Sequence, residues 1–377
     1  MGSRDWRLLP LYIGGFLGPF GTVVIVPMFP ELRESFDASS GAVGLGFTLY
    51  FLPFALLLTV SGTIGERFGR RRTVRATYLT YAVASVGCAL APDLTTFVIA
   101  RLVQGAANAF ITPLLVAGLA DVVPDERLGR SVGVYSSFQA VGTGLGPVIG
   151  GLAADTNWRW AFVFTAAASL VLAAFPPPGE PRVVERPPVR PLLSRRMIIL
   201  GAAVLAAAMG PIGAAFLIGV FARDELDLTG GQTGVVLVLG AAAAFALGPV
   251  WGRLLDEWGT RRAGLISSVA VSAVVAIIAL VDAAVPLALL WMVGSAAAAF
   301  VVVVFQGEAA RAVPDNRGGA VSSIMAWRFA GHGIGPVILL PIFESSTDVA
   351  FLVAGGLGLF TTLGLLTATT SIAAGDR

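Results

Sequence analysis

The chain reads as a succession of long apolar runs separated by short polar segments rich in arginine. Twelve runs approach or exceed the length of helix needed to cross a hydrocarbon core, about 20 residues for about 30 Å. They lie at about 8–29, 41–64, 73–91, 95–120, 130–153, 160–176, 197–221, 231–252, 263–281, 285–307, 319–342 and 348–370. The runs are continuous rather than alternating, which excludes barrel strands. Glycine and proline within them are compatible with membrane helices, because neighbouring helices satisfy freed backbone groups and small residues allow close packing. The first run follows Arg4 and Arg7, but it is too long for a signal-peptide core and no A-x-A-like cleavage site follows. It is read as a retained span. The pattern predicts an all-α polytopic membrane protein with twelve transmembrane helices.

Composition agrees. Hydrophobic residues make up 56% of the 377, charged residues only 13%, and the mean hydropathy is +0.83. A soluble globule or a disordered chain is excluded on these values. The single cysteine, Cys88, excludes a disulfide scaffold or thiolate cluster, and the single histidine, His332, argues against a His-based zinc site.

All 25 basic residues are arginines, and their placement sets an orientation. With a cytoplasmic N-terminus, twenty fall on the inner side, three (Arg33, Arg159, Arg223) on the outer side, and two (Arg101, Arg328) within spans. The positive-inside rule then places both termini in the cytoplasm.

The stretch 176–196 is rich in proline and arginine and reads as an extended cytoplasmic linker. It divides the chain into bundles at 1–175 and 197–377, each with six spans. The halves repeat. G-E-R-F-G-R-R-R at 65–72 matches L-D-E-W-G-T-R-R at 255–262, pairing Glu66 with Asp256 and Gly69 with Gly259 at an offset of 190. V-P-D-E-R at 123–127 matches V-P-D-N-R at 313–317 at the same offset, and Gly146-Pro147 matches Gly335-Pro336 at 189. Three motifs at one spacing indicate duplication, and duplicated bundles commonly hold a midplane site exposed to each side in turn.

With these motifs in place, the chain resembles the major facilitator superfamily of twelve-span secondary transporters over essentially its whole length. G-T-I-G-E-R-F-G-R-R-R (62–72) is similar to the family's first signature, and A-R-L-V-Q-G (100–105) to its span 4 signature. G-T-G-L-G-P-V-I-G-G (142–151) matches the span 5 pattern that marks drug–proton antiporters, and W-R-W-A-F-V-F (158–164) resembles the start of span 6. The resemblance implies two pseudo-symmetric six-helix bundles.

It also implies roles. Glu66, Arg70 and Asp121 would form a gating ion cluster, although most arginines in that loop also serve as topology anchors. In the second copy Thr260 stands where Arg70 maps and Arg311 where Asp121 maps, so no second gate of the same kind is expected around Asp256 and Gly259. Arg101 would be tied to proton coupling; from the residue alone it either pairs within the protein or snorkels to an interface. Gly142, Gly146 and Gly150, with Pro147, give a smooth bent face for close packing, to which the family adds control of leak and direction. Arg328 and His332 share one face of span 11. His332 either carries a proton or hydrogen-bonds a neighbouring helix.

Cavity contacts implied by the family are Gln104, Asn108, Gln139 and Gln306, with Phe16, Phe20, Phe216 and Phe305 as apolar lining; any one of these phenylalanines also reads as ordinary packing.

No Asp or Glu lies at the middle of a span; Asp121, Asp282 and Glu308 are near ends. Arginines without a central acid suit a neutral or anionic compound better than a cation. The expected function is secondary transport of a small, largely apolar compound by a monomer in the cytoplasmic membrane, with proton-coupled efflux first and import or facilitation second. A non-transporting sensor would be expected to carry a further soluble domain. A membrane enzyme lacks a nucleotide loop, a metal cluster or a nucleophile–base set. Neither a cofactor nor a nucleic-acid partner is implied.

Overall fold

The computed structural model describes residues 8–181 and 189–375. Arg4, Arg7, Arg182, Arg186 and Arg377, which entered the orientation argument, lie outside the described residues, as does part of the 176–196 linker. Among the described residues the structure is helical and has no strand. This follows from the solvent, since a segment in hydrocarbon must satisfy its own backbone hydrogen bonds.

The helices are α1 (Leu9–Val23), α2 (Phe29–Phe36), α3 (Ser40–Phe68), α4 (Arg70–Ala89), α5 (Leu94–Val122), α6 (Asp125–Ala154) and α7 (Arg159–Ala173). After the linker come α8 (Arg195–Met209), α9 (Ala215–Asp224), α10 (Gly230–Ala246), α11 (Gly248–Ile277), α12 (Ala284–Ala312), α13 (Arg317–Ser345) and α14 (Thr347–Gly375). Among the described residues six helical stretches are long and apolar enough to cross a membrane by length and composition: Leu9–Phe36, Ser40–Phe68, Leu94–Val122, Arg253–Leu280, Ala284–Ala312 and Thr347–Thr367.

Several boundaries differ from the sequence reading. The first span passes through a short 3-10 turn at Val26–Met28 and continues beyond residue 29 as α2, which buries Phe29 and Leu32 and ends at Asp37 with φ +47°. The seventh breaks between α8 and α9, where Gly210 leaves the helical region just before Pro211. Proline there removes a donor and crowds the preceding turn. The eighth stops at Ala246 and resumes as α11 at Gly248, and α11 turns at Gly259 into what was expected as span 9.

Gly69 (φ +90°) and Gly259 (φ +70°) both adopt left-handed backbone, so the duplicated motif marks the same reversal twice. Only glycine takes this conformation without a steric penalty.

The chain forms two compact units. One comprises residues 1–39, 45–185 and 229–234, and the other residues 40–44, 186–228 and 235–377. In the first, α1 packs on α6 and on α5, and α4 packs on α5 and α7. In the second, α8 packs on α13, and α11 packs on α12 and α14. Three pairings therefore recur at repeat-related positions. Close approach of α6 to α1 depends on missing side chains: a Cβ at Gly142 would strike the Phe16 carbonyl, one at Gly150 the Val24 carbonyl, and one at Gly146 would lie 2.6 Å from Val23 Cγ2. In the second unit a Cβ at Gly335 would lie 2.7 Å from the Met209 carbonyl of α8.

Candidate functional site

The turn at Gly69 sets the end of α3 against the start of α4, and three charged groups meet there. Arg70 is fully buried. Its Nε donates to Glu66 Oε1 at 2.8 Å, its Nη2 donates to the same oxygen, and its Nη1 donates to Asp121 Oδ2 at the end of α5. The Pro178 carbonyl also accepts from Nη1 at 3.4 Å, so the start of the linker crosses over the guanidinium. A cation held by two carboxylates in this way is a charge-assisted clasp between three helix ends.

The second unit carries a cluster of opposite balance. Glu308, near the end of α12, is buried, accepts from Arg196 Nη2 at 2.8 Å and lies 3.6 Å from Arg311 Nη2. Here one acid meets two cations. Sequence comparison passed over this cluster, because Arg196 is 112 residues from Glu308 and has no counterpart in the first motif. Asp256 is exposed on α11, and Gly259 forms the turn beyond it.

Deep in the first unit, Arg101 of α5 is fully buried. It does not snorkel. Its Nε donates to the Gly46 carbonyl at 3.2 Å, and its Nη1 to the Gly21 carbonyl at 3.0 Å and to Gln104 Oε1 at 2.9 Å. The guanidinium sits 4.1 Å from the centre of the Tyr50 ring, a cation–π geometry. Tyr50 and Tyr81 share a hydroxyl hydrogen bond at 3.1 Å. Gln104 Nε2 donates to Ser85 Oγ at 2.7 Å, and the Cys88 thiol donates to Gln104 Oε1 at 3.7 Å. Gln104 is thus part of the network that holds Arg101, with no exposed surface of its own. Arg101 Nη2 has no partner.

The other candidates lie on several helices. Asn108 is buried, and its Nδ2 donates to the Gly18 carbonyl of α1 at 3.5 Å. Half-buried Gln139 donates to Thr112 Oγ1 at 3.4 Å. Half-buried Gln306 is 3.4 Å from the Met325 sulfur. Phe16 is half-buried and stacks on Phe20 at 5.2 Å, whereas Phe20, Phe216 and Phe305 are fully buried. Arg328 is half-buried, lies over the Phe329 ring at 4.7 Å, and its Nε has no partner. His332, one turn on, is half-buried with its ring 6.2 Å from that of Phe329. No group of acids, His and Cys among the described residues could hold a metal ion.

The sequence profile described as Major Facilitator Superfamily matches residues 11–221 and 198–373. The chain belongs to that superfamily.

Among its relatives in Mycobacterium tuberculosis are "Uncharacterized MFS-type transporter EfpA", 31% identical over 173 residues, covering 45% of this chain and 33% of that protein, and "Multidrug resistance protein B homolog", 31% identical over 189 residues, covering 49% and 33%. The matched region is about a third of the length of each of these two relatives. YceJ of Bacillus subtilis, an MFS-type transporter, is 28% identical over 261 residues, covering 66% of this chain and 65% of that one.

Among solved structures, a bacterial homolog of the human lysosomal transporter Spinster superposes with a TM-score of 0.77 at 15% identity, covering 98% of both chains. A D-xylose-proton symporter superposes with a TM-score of 0.74 at 15% identity, covering 96% of this chain and 97% of that one. These likenesses show the all-α fold, and with the profile match the chain is a multi-pass membrane protein.

Two carboxylates at helix ends also went unread in the sequence. Within the first unit, Asp155 accepts from the backbone N–H groups of Gly230 and Gly231 at 2.7 and 2.8 Å, capping α10. Within the second, Glu344 accepts from the Ser40 N–H at 2.8 Å, capping α3. Asp155 and Glu344 stand 189 apart, and Ser40 and Gly230 stand 190 apart, which are the spacings of the other repeated motifs. The offset was the signal that could have found them.

Proposed function

We propose that this member of the superfamily moves a small, largely apolar, neutral or anionic compound across the cytoplasmic membrane by alternating access, as a proton-coupled exporter. The reading takes 1–175 and 197–377 as the two halves, 176–196 as their linker, both termini as cytoplasmic, and the monomer as the working unit. The observation that carries the substrate class is that Arg101 and Arg328 sit at depth without a carboxylate partner. Each keeps one guanidinium nitrogen without a hydrogen bond. Cations with no carboxylate beside them favour neutral or anionic cargo by charge complementarity. Arg101 and the Arg328–His332 pair are the coupling candidates, the Glu66–Arg70–Asp121 clasp is the gate, and the glycine face of α6 limits leak. The export direction rests on the span 5 pattern around Gly146-Pro147 and on the relative named for multidrug resistance.

The test uses everted vesicles carrying the protein, energised to an acidic, positive interior. Accumulation of neutral or anionic amphiphiles that collapses with an uncoupler supports coupled export. Equilibration without accumulation replaces the antiporter with a facilitator or importer, and a preference for cations removes the charge argument.

A further inference from the structure

One face of the first unit carries a feature that the transport reading does not use. The first two turns of α4 present Arg71, Arg72 and Arg75, which line a pocket of about 410 Å³ with Gly69, Ala76, Leu79 and the linker residues Gly179–Pro181. Their guanidiniums form no ion pair among the described residues. Arg75 Nε alone is engaged, donating to the Ala173 carbonyl at 3.3 Å. Among the described residues Glu180 is the one acid lining the pocket, so the described walls carry an excess of two positive charges.

The pocket does not end in water on every side. Leu79 also lines a second cavity of about 370 Å³, an apolar groove formed with Thr80, Val83 and Ala84 of α4 and Ala100 and Val103 of α5. Positions 72, 75, 76, 79, 80 and 83 recur at helical spacing and make one stripe along α4. From Arg72 to Val83 that stripe rises about 16 Å at 1.5 Å per residue. This is close to half of a hydrocarbon core of about 30 Å.

We propose that this composite feature is a binding site for one anionic glycerophospholipid, with its phosphate among Arg71, Arg72 and Arg75 and one acyl chain lying along Leu79 and Val83 in the α4–α5 groove. The two cavities match the two ends of that molecule in chemistry and in length. A soluble phosphate would fit the arginines and leave the groove without an occupant. A zwitterionic lipid would fit the groove and bring its own cation to a positive pocket. The site is independent of the direction and cargo of transport.

The experiment is native mass spectrometry of the purified full-length chain titrated with phosphatidylglycerol or phosphatidylcholine of the same acyl chains. The expected result is one phosphatidylglycerol bound about tenfold more tightly than phosphatidylcholine, a difference of about 1.4 kcal/mol. The triple substitution Arg71→Gln/Arg72→Gln/Arg75→Gln removes the preference. Arg127→Gln/Arg130→Gln, which takes similar charge from the start of α6, keeps it. Thr80→Trp, which fills the groove and leaves the arginines intact, weakens binding of both lipids, and serves if the triple variant does not fold. Equal affinity for the two lipids, or a preference that survives the triple substitution, overturns the site. Displacement of phosphatidylglycerol by millimolar inorganic phosphate, with Thr80→Trp having no effect, assigns a phosphate pocket and overturns the lipid.

Discussion

Arg101 shows how a membrane protein keeps a cation without a counter-ion: two backbone carbonyls, an amide oxygen and a ring face replace the carboxylate. The arrangement uses the width and planarity of the guanidinium, which an ammonium does not share. Arg101→Lys is therefore expected to lower thermal stability in detergent by about 2 kcal/mol despite conserved charge, because the Gly21 and Gly46 carbonyls cannot both be reached. An unchanged midpoint would mean that charge alone is required. Glu308 makes the opposite case. Removing a buried acid strands Arg196, and Glu308→Ala should cost about 3 kcal/mol, whereas Asp256→Ala at an exposed position should stay within about 0.5 kcal/mol; denaturation of the two variants side by side checks the contrast. The sequence made Arg101 legible, since a charge inside an apolar run stands out. It left Glu308 dim, because its partner is far along the chain and proximity in space has no local mark. Gln104 was read as a cavity candidate from its motif. Burial and hydrogen bonding instead place it beside Arg101, a relation of i and i+3 that helical geometry alone could have suggested.

At the scale of helices, apolar run length located the spans, and breaks within them were harder to read. Pro19, Pro53, Pro113 and Pro147 lie inside unbroken helices, whereas Pro27 and Pro211 coincide with interruptions. Whether a proline breaks a span depends on what neighbouring helices offer to the freed carbonyls, which is tertiary information. Glycines divide in the same way. On α6, Gly142 and Gly150 face α1 backbone, while nothing lies within 4 Å of a Cβ at Gly129 or Gly133. Gly142→Ala should thus force α1 and α6 apart and lower the melting midpoint and transport together. Gly133→Ala, gaining about 0.5–1 kcal/mol of helix propensity, should leave both intact or raise the midpoint slightly. Equal behaviour of the two would show that the α1–α6 contact has slack.

Over the whole molecule, the duplicated sequence appears as duplicated packing, with α1 on α6 repeated by α8 on α13 and both inter-helix reversals made at a glycine. Charge does not follow the repeat: Arg70 meets two acids, and Glu308 meets two arginines. The carboxylate caps do follow it. Asp155→Ala removes the acceptor of two N–H groups and should cost about 1 kcal/mol, with Glu344→Ala costing less for its single bond. Equal losses, or none, in thermal unfolding would remove the caps from any account of stability.

Cys88 is the one thiol in the sequence, and it is fully buried. A maleimide or spin label added to the unaltered protein therefore meets no reactive sulfur, and a cysteine introduced at any exposed position reports alone. Replacing Cys88 beforehand would be unnecessary, and it would remove a donor from Gln104, which holds Arg101. The natural sequence is already a silent background for labelling, and movement of each helix can be followed without disturbing the buried network.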